Sequence, residues 1–308
     1  MNARTAIAVF AAGLIALTAG ATATTSASAT RSLAAVEPAA TVYGHRGEIY
    51  TRQADGVVRQ LTRNSVFDGF PSWSPDRTKI VFTREVRGDS DVFVMAADGT
   101  GVRRLAGSRR PGHDLYPAWS PDGRLIAFAS DRPAEREIYV MRADGSGLRQ
   151  LTRTKPHVDD TQPRFSPDGR FVLFTSNRVA FSNYELFRVR VSDGGGVTRL
   201  TFWGSGGDGT PGDDVSGDFS PDGKWIAFVS DRNGGYAIWT MRADGKGLRE
   251  VARHRGMNVV FPRFSPDGST LIYTLFDPAV AKPRFELWTV RVDGSDRVRL
   301  GPGSEADW

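Results

Sequence analysis

Apolar positions along the chain fall in short runs rather than helical stripes. Between Tyr116 and Thr152 the sequence reads YPAWSPDGRLIAFASDRPAEREIYVMRADGSGLRQLT. Leu125 to Ala129 is an unbroken apolar run, too short for a helix and bounded by turn residues, which predicts a buried strand. Ile138 to Met141 repeats that signal, and Leu148 to Leu151 reads as a last, half-polar strand. Ser120-Pro121-Asp122-Gly123 suits a type I turn: Pro fixes φ at the second position, Asp tolerates the third, and Gly accepts positive φ at the end. Asp144-Gly145 closes a second hairpin. One unit is thus predicted to be an antiparallel meander of four strands.

The unit recurs. Ser-Pro-Asp stands at Ser74, Ser120, Ser166, Ser220 and Ser265, at intervals of 46, 46, 54 and 45 residues. Each copy has an aromatic just before it: Trp73, Trp119, Phe165, Phe219 and Phe264. A lone four-stranded sheet cannot bury both faces, so repeats of this period predict blades stacked around an axis. Thr41 to Thr62 reads as a unit without its first strand, and Ser304 to Trp308 supplies that strand, with Trp308 in the aromatic slot. The prediction is an all-β, six-bladed β-propeller of four-stranded antiparallel blades, closed by the C-terminal strand joining the N-terminal blade.

These residues resemble the TolB-like β-propellers, whose WD-like repeat reads P-x-W-S-P-D-G, then an I-A-F strand, S-D-R, I-Y-V-M-x-A-D-G and a closing R-x-L-T. The resemblance covers Ala40 to Trp308, without the family's N-terminal domain. Arg77 departs from it, taking the place of the turn glycine; a non-Gly residue at positive φ there costs about 1 kcal/mol. The resemblance implies a binding module, since TolB-like proteins act in envelope assemblies where a partner's loops enter the channel.

The ends of the chain change the picture. Arg4 precedes a twelve-residue apolar run, Ala6 to Leu17, and then small residues, which predicts a secretory signal peptide over residues 1–29. Residues 30–40 read as a flexible leader and 41–308 as the propeller. The chain has no cysteine, so neither disulfides nor a lipid-anchor thiol are expected. The mature chain is expected to be secreted or periplasmic, monomeric and not inserted in a membrane. Net charge is +5, and most of the basic residues are Arg. Arg59, Arg103, Arg149, Arg199, Arg249 and Arg299 recur on the fourth strands, where charge blocks edge-to-edge aggregation. Charge spread round a rim is no binding stripe, so nucleic acid is not an expected partner.

Alternating strand direction gives each face its own connections. The Ser-Pro-Asp and Asp-Gly turns share one face; the other, called the top, carries the longer connections at Arg178 to Asn183, Phe202 to Gly217 and Phe276 to Pro283. Binding residues concentrate on such variable loops over a rigid scaffold. His113, His157 and His254 fall there, as does His45. Asp68, Asp114 and Asp160 stand five residues before the aromatic slot, as does Asp214; they are expected to ring the channel's top mouth and attract cations, or else to cap turns. Asp131, Asn177 and Asp231, each followed by Arg, read as turn residues. The loop from Phe202 to Asp214 offers Trp203 as an aromatic anchor, with Asp208, Asp213 and Asp214 as oxygen ligands for Ca²⁺ or another divalent metal, though not at EF-hand spacing. No hydrolase elbow, zinc helix or phosphate loop appears. The leading expectation is a non-enzymatic exported propeller that binds a protein or peptide at the top face and channel mouth. The alternative is a metal-dependent lyase or hydrolase acting on a sugar or lactone there.

Overall fold

The computed structural model describes residues 41–106, 112–132, 135–180, 183–202 and 212–308. The segments read as a signal peptide and a leader, together with Trp203 and Asp208, lie outside the described residues.

Six four-stranded antiparallel sheets form the chain. Blade 1 holds β1 (Thr41–His45), β2 (Glu48–Arg52) and β3 (Val58–Gln60). Blade 2 holds β4 (Asp68–Trp73), β5 (Lys79–Val86), β6 (Asp89–Ala96) and β7 (Arg103–Ala106). Blade 3 holds β8 (Asp114–Trp119), β9 (Leu125–Ser130), β10 (Glu137–Arg142) and β11 (Arg149–Gln150). Blade 4 holds β12 (Asp160–Phe165), β13 (Phe171–Ala180), β14 (Asn183–Arg190) and β15 (Thr198–Arg199). Blade 5 holds β16 (Asp214–Phe219), β17 (Trp225–Ser230), β18 (Ala237–Arg242) and β19 (Arg249–Arg253). Blade 6 holds β20 (Asn258–Phe264), β21 (Thr270–Phe276), β22 (Glu286–Arg291) and β23 (Val298–Pro302). The last strand, β24 (Ser304–Asp307), returns to blade 1 and pairs with β1, placing Val42 opposite Asp307 and Gly44 opposite Ser304. The propeller is six-bladed and closes as the sequence predicts.

The turns explain why these segments fold locally. In all five Ser-Pro-Asp turns the serine hydroxyl donates to the aspartate, as from Ser120 to Asp122 at 2.6 Å. All six Asp-Gly turns are closed by the aspartate accepting the N–H two residues on, as Asp144 does from Ser146. Arg77 takes φ +59, the left-handed value that its glycine counterparts hold freely. Gly145 has a second reason to be glycine: a Cβ there would stand 2.6 Å from the carbonyl oxygen of Leu105 in the preceding blade.

Packing between blades is apolar. Val81 and Val94 of blade 2 meet Trp119, Ile126 and Phe128 of blade 3. The same arrangement sets Leu173 and Leu186 against Phe219, Ile226 and Phe228. Two expectations change. The connection from Arg178 to Asn183 is mostly strand, since β13 runs to Ala180 and β14 begins at Asn183. Several fourth-strand arginines do more than charge an edge. Arg59 donates to the Asp98 carbonyl at 3.1 Å, Arg249 to that of Asp293 at 2.5 Å and Arg149 to that of Val191, each tying its blade to the next.

Candidate functional site: the upper mouth of a plugged channel

The innermost strands β4, β8, β12, β16, β20 and β24 line the axis. Each carries one residue in the left-handed region: Phe70, Tyr116, Gln162, Ser216, Phe261 and Glu305, with φ between +52 and +59. For bulky residues this is strained backbone, and six repetitions mark it as built in. The ladder to the second strand shifts register there, as between Leu115 and Ala118. These residues fill the channel. Phe70 and Tyr116 have ring centroids 4.3 Å apart, with Phe261 6.0 Å from Phe70 and 6.4 Å from Tyr116. Gln162 Oε1 accepts the N–H of Ser216 at 3.0 Å and its hydroxyl at 3.2 Å. Glu305 Oε2 accepts the N–H of Phe70 at 2.8 Å, and burial pushes its carboxyl up to about 7. The remaining cavity is about 10 Å³, room for about one water. A partner's loop cannot thread this axis.

The aspartates expected to ring the mouth are turned inward. Asp68, Asp114, Asp160 and Asp214 are at most 2% exposed, and each is paired to an arginine of its own blade. Arg84 grips Asp68 with two bonds, of 2.6 and 2.7 Å. Arg132 pairs with Asp114, Arg178 with Asp160 at 2.6 Å and Arg232 with Asp214 at 2.7 Å. Each guanidinium also lies over two aromatic rings. Arg178 is 5.1 Å from the Phe174 centroid and 4.9 Å from that of Phe187; Arg232 is 5.5 Å from Phe228 and 5.1 Å from Trp239. Burial, opposed by the facing arginine, raises the carboxyl pKa of Asp114 and of Asp160. Carboxylates closed in this way do not attract an external cation. That expectation fails because the charge is already neutralised and withdrawn from solvent.

The residues read as turn formers bond at longer range, each to a residue 18 positions earlier in the chain. The side-chain oxygens of Asp131, Asn177 and Asp231 accept the N–H groups of His113, Asp159 and Asp213 at 2.6, 2.7 and 2.8 Å.

The histidines do not converge. His113 Nδ1 is 3.3 Å from Ser90 Oγ between blades 2 and 3. His157 sits exposed in a turn at φ +69, its carbonyl accepting from Asn177. His254 leans on blade 6, its Nε2 2.7 Å from the Tyr273 hydroxyl and its ring 5.3 Å from that of Trp288. Among the described residues no three His, Cys, Asp or Glu side chains are placed to share a metal ion.

Asp213 does join a cluster. Its Oδ1 accepts the N–H of Tyr184 at 3.0 Å and its Oδ2 the hydroxyl of Tyr236 at 2.9 Å, and burial raises its pKa to about 6. Across the blade boundary Asp159 Oδ1 accepts the N–H of Arg136 at 3.2 Å. Burial first, then the charge of Asp159, lifts the Tyr184 phenol to about 12, with Arg136 opposing. Above the plug, Arg136, Asp159, Tyr184, Asp213 and Tyr236 thus form one polar and aromatic floor. Phe202, 61% exposed, stands at the outer end of blade 4, with Arg199 4.6 Å over its ring. Trp203 and Asp208 continue that loop outside the described residues. Sequence reading missed Arg136, Asp159, Tyr184 and Tyr236, although Arg136 and Tyr236 each stand 16 residues after a Ser-Pro-Asp serine and Asp159 stands seven before one, as Asp213 does.

Comparison with known proteins places this architecture. Residues 106–210 match the model of the TolB beta propeller domain. A stretch of 80 residues is 38% identical to the Tol-Pal system protein TolB of Anaeromyxobacter dehalogenans, covering 26% of this chain and 17% of that one. Another of 88 residues is 35% identical to an uncharacterized Agrobacterium fabrum protein, covering 29% of this chain and 27% of that one. The matches thus span well under a third of these relatives' length. Among solved structures, TolB of Acinetobacter baumannii superposes with a TM-score of 0.70 at 22% identity, covering 87% of this chain and 66% of that one. An oligogalacturonate lyase in complex with manganese shares the fold at a TM-score of 0.53 and 16% identity, over 86% of this chain and 73% of that one. The chain is a six-bladed β-propeller similar in fold to TolB, and residues 106–210 match that family's propeller domain.

Proposed function

We propose that this propeller is an exported, non-enzymatic ring that binds a protein or peptide partner on its top face, at the upper mouth of the channel. The observation that carries the reading is the floor formed by Arg136, Asp159, Tyr184, Asp213 and Tyr236 above a filled axis. Arg136, Asp213 and Tyr236 are buried in it and hold the half-buried Tyr184 and Asp159 in place, so the floor offers a partner a fixed tyrosine, a residue type that anchors interfaces. Phe202 and the long connections extend that surface outward. Asp114, Asp160 and Asp214, at the top of the inner strands, are committed to arginines, which leaves them unsuited to acid–base work. The partial match to a Tol-Pal system protein agrees with a protein partner, and the signal-peptide pattern with a place outside the cytoplasm.

Site-specific photo-crosslinking tests this. A crosslinker at Phe202 or Tyr184 is expected to trap a discrete partner from culture supernatant or envelope, while one at Asp122, on the turn face, traps none. Crosslinks from Asp122 alone would overturn the assignment of the face.

A further inference from the structure

A roomier hollow opens away from the axis, on the turn face between blades 5 and 6. Its volume is about 480 Å³, within the range of about 300–1,000 Å³ usual for small-molecule sites. Trp225, the first residue of β17, lines it and is 42% exposed. Phe264 and Val292 line it from blade 6. The sequence explains why the hollow opens here. In blade 4 the position of Trp225 holds Phe171, and Arg188 of β14 lies 4.9 Å over its ring. In blade 5 the place of that arginine is taken by Thr240, opposite Ala227, which is too short to cover an indole. Thr240 also lines the hollow; it is 6% exposed, and its hydroxyl makes no hydrogen bond among the described residues. A hydroxyl so far withdrawn from the surface ordinarily has a partner.

The charges at its rim cancel. Asp222 and Asp267, from two neighbouring Ser-Pro-Asp turns, line the hollow together with Arg249, and Lys224 Nζ sits 3.3 Å from Asp222 Oδ2. Each carboxylate spends Oδ1 on its own turn and keeps acceptor capacity at Oδ2. Arg249 gives one N–H to the Asp293 carbonyl, and its other N–H groups donate to nothing among the described residues. We propose that this hollow binds one ring of a neutral sugar, either a free monosaccharide or the end of a glycan chain. A pyranose has an apolar C–H face, which suits the indole, and a rim of hydroxyls that both donate and accept. That rim suits Thr240, Arg249 and the two aspartates. A wholly apolar ring would leave Thr240 unsatisfied. A cation would be opposed by Arg249 and Lys224, and an anion by Asp222 and Asp267.

Saturation-transfer NMR of the full chain with glucose, galactose, mannose and N-acetylglucosamine tests the site. At least one of these is expected to bind saturably in the millimolar range, with saturation reaching chiefly the C–H protons of one ring face. Trp225→Lys, which repeats the residue blade 2 has at Lys79, should weaken binding at least about tenfold. Thr240→Arg, which imitates Arg188, should fill the hollow and abolish binding. Thr240→Val, close in shape but without the hydroxyl, should weaken it; Val94 and Val140 hold this place in blades 2 and 3, so the variant should fold. If none of the four sugars binds saturably, or if folded Trp225→Lys binds as the wild type does, the proposal is overturned. A linear tetrasaccharide of the sugar that binds separates the sources. Tighter binding than the single ring assigns the site to a glycan chain, and equal binding to a free monosaccharide.

Discussion

Blades 2 to 5 and the pair formed by blades 6 and 1 meet the same packing demand with opposite chemistry. In the first group an aromatic pair across the second and third strands, such as Phe128 and Tyr139 at 5.9 Å, is covered by an arginine locked to a buried aspartate. In blade 6 the aspartate position holds Val259, opposite Leu275, and the equivalent pair, Tyr273 and Trp288, is covered by His254 from the preceding blade. In blade 1 Tyr43 stacks on Tyr50 at 5.8 Å with His45 at its edge. Burial lowers the pKa of both His45 and His254, so the imidazoles rest neutral where the other blades hold an ion pair. The aromatic pair is therefore the constant and its cover the variable. Over the aromatic pairs of blades 2 to 5 the cover is an aspartate–arginine pair; in the remaining sector it is a single histidine.

Breaking one clamp should have the largest effect. Asp160→Ala leaves Arg178 facing a buried void and is expected to cost about 3–5 kcal/mol in urea unfolding, the usual result of removing one partner of a buried pair. Asp160→Leu combined with Arg178→Met imitates blade 6 and should restore most of that loss. A double variant as unstable as the single one would show that the clamp does more than neutralise itself.

The next effect lies in the closing blade, at Glu305. Its folded pKa of about 7 lies above the ordinary carboxylate value because of burial. A raised carboxyl binds its proton more tightly in the folded state. The stability it lends is full below the unfolded pKa near 4.5 and is lost as pH rises to about 7. Glu305→Gln, which removes that ionisation, should unfold at least as late as the wild type at pH 8, with a gain of up to about 3 kcal/mol. Near pH 4.5 the advantage should disappear. A difference between the two proteins that does not change with pH would contradict the burial of this carboxyl.

What could be read beforehand divides along the same line. Ring, blade number and closure were legible because turns have chemistry: Ser-Pro-Asp-Gly and Asp-Gly each name a backbone conformation. The clamps were half legible. Asp114 and Arg132, Asp160 and Arg178, and Asp214 and Arg232 share one spacing of 18 residues, yet the aspartates were read as a ring and the arginines as turn neighbours. Pairing depends on which way two side chains point across a ladder. The plug was hidden for a deeper reason. Phe70, Tyr116, Gln162, Ser216 and Phe261 all lie four residues before a Ser-Pro-Asp serine but share no residue type. Their common property is a left-handed φ that none of them prefers. Each sits at the register shift between the first and second strands of its blade, which no residue type announces.

The smallest effect should come from His254. Its Nε2 hydrogen-bonds the Tyr273 hydroxyl, and burial lowers its pKa, with the charge of Arg297 adding to the shift. The folded state therefore holds fewer protons on this group than the unfolded state does. The stability it contributes is present above the unfolded pKa near 6.5 and declines as pH falls through that value. His254→Phe keeps an aromatic cover over Tyr273 and Trp288 but leaves the phenol without this partner, for a cost of about 1 kcal/mol at pH 8. The wild type loses its imidazole's contribution in acid and phenylalanine has none to lose, so the gap should narrow towards pH 5. If the His254→Phe gap stays constant from pH 8 to pH 5, the neutral cover inferred for blades 6 and 1 is wrong, and the two halves of the ring differ in composition without differing in how they respond to protons.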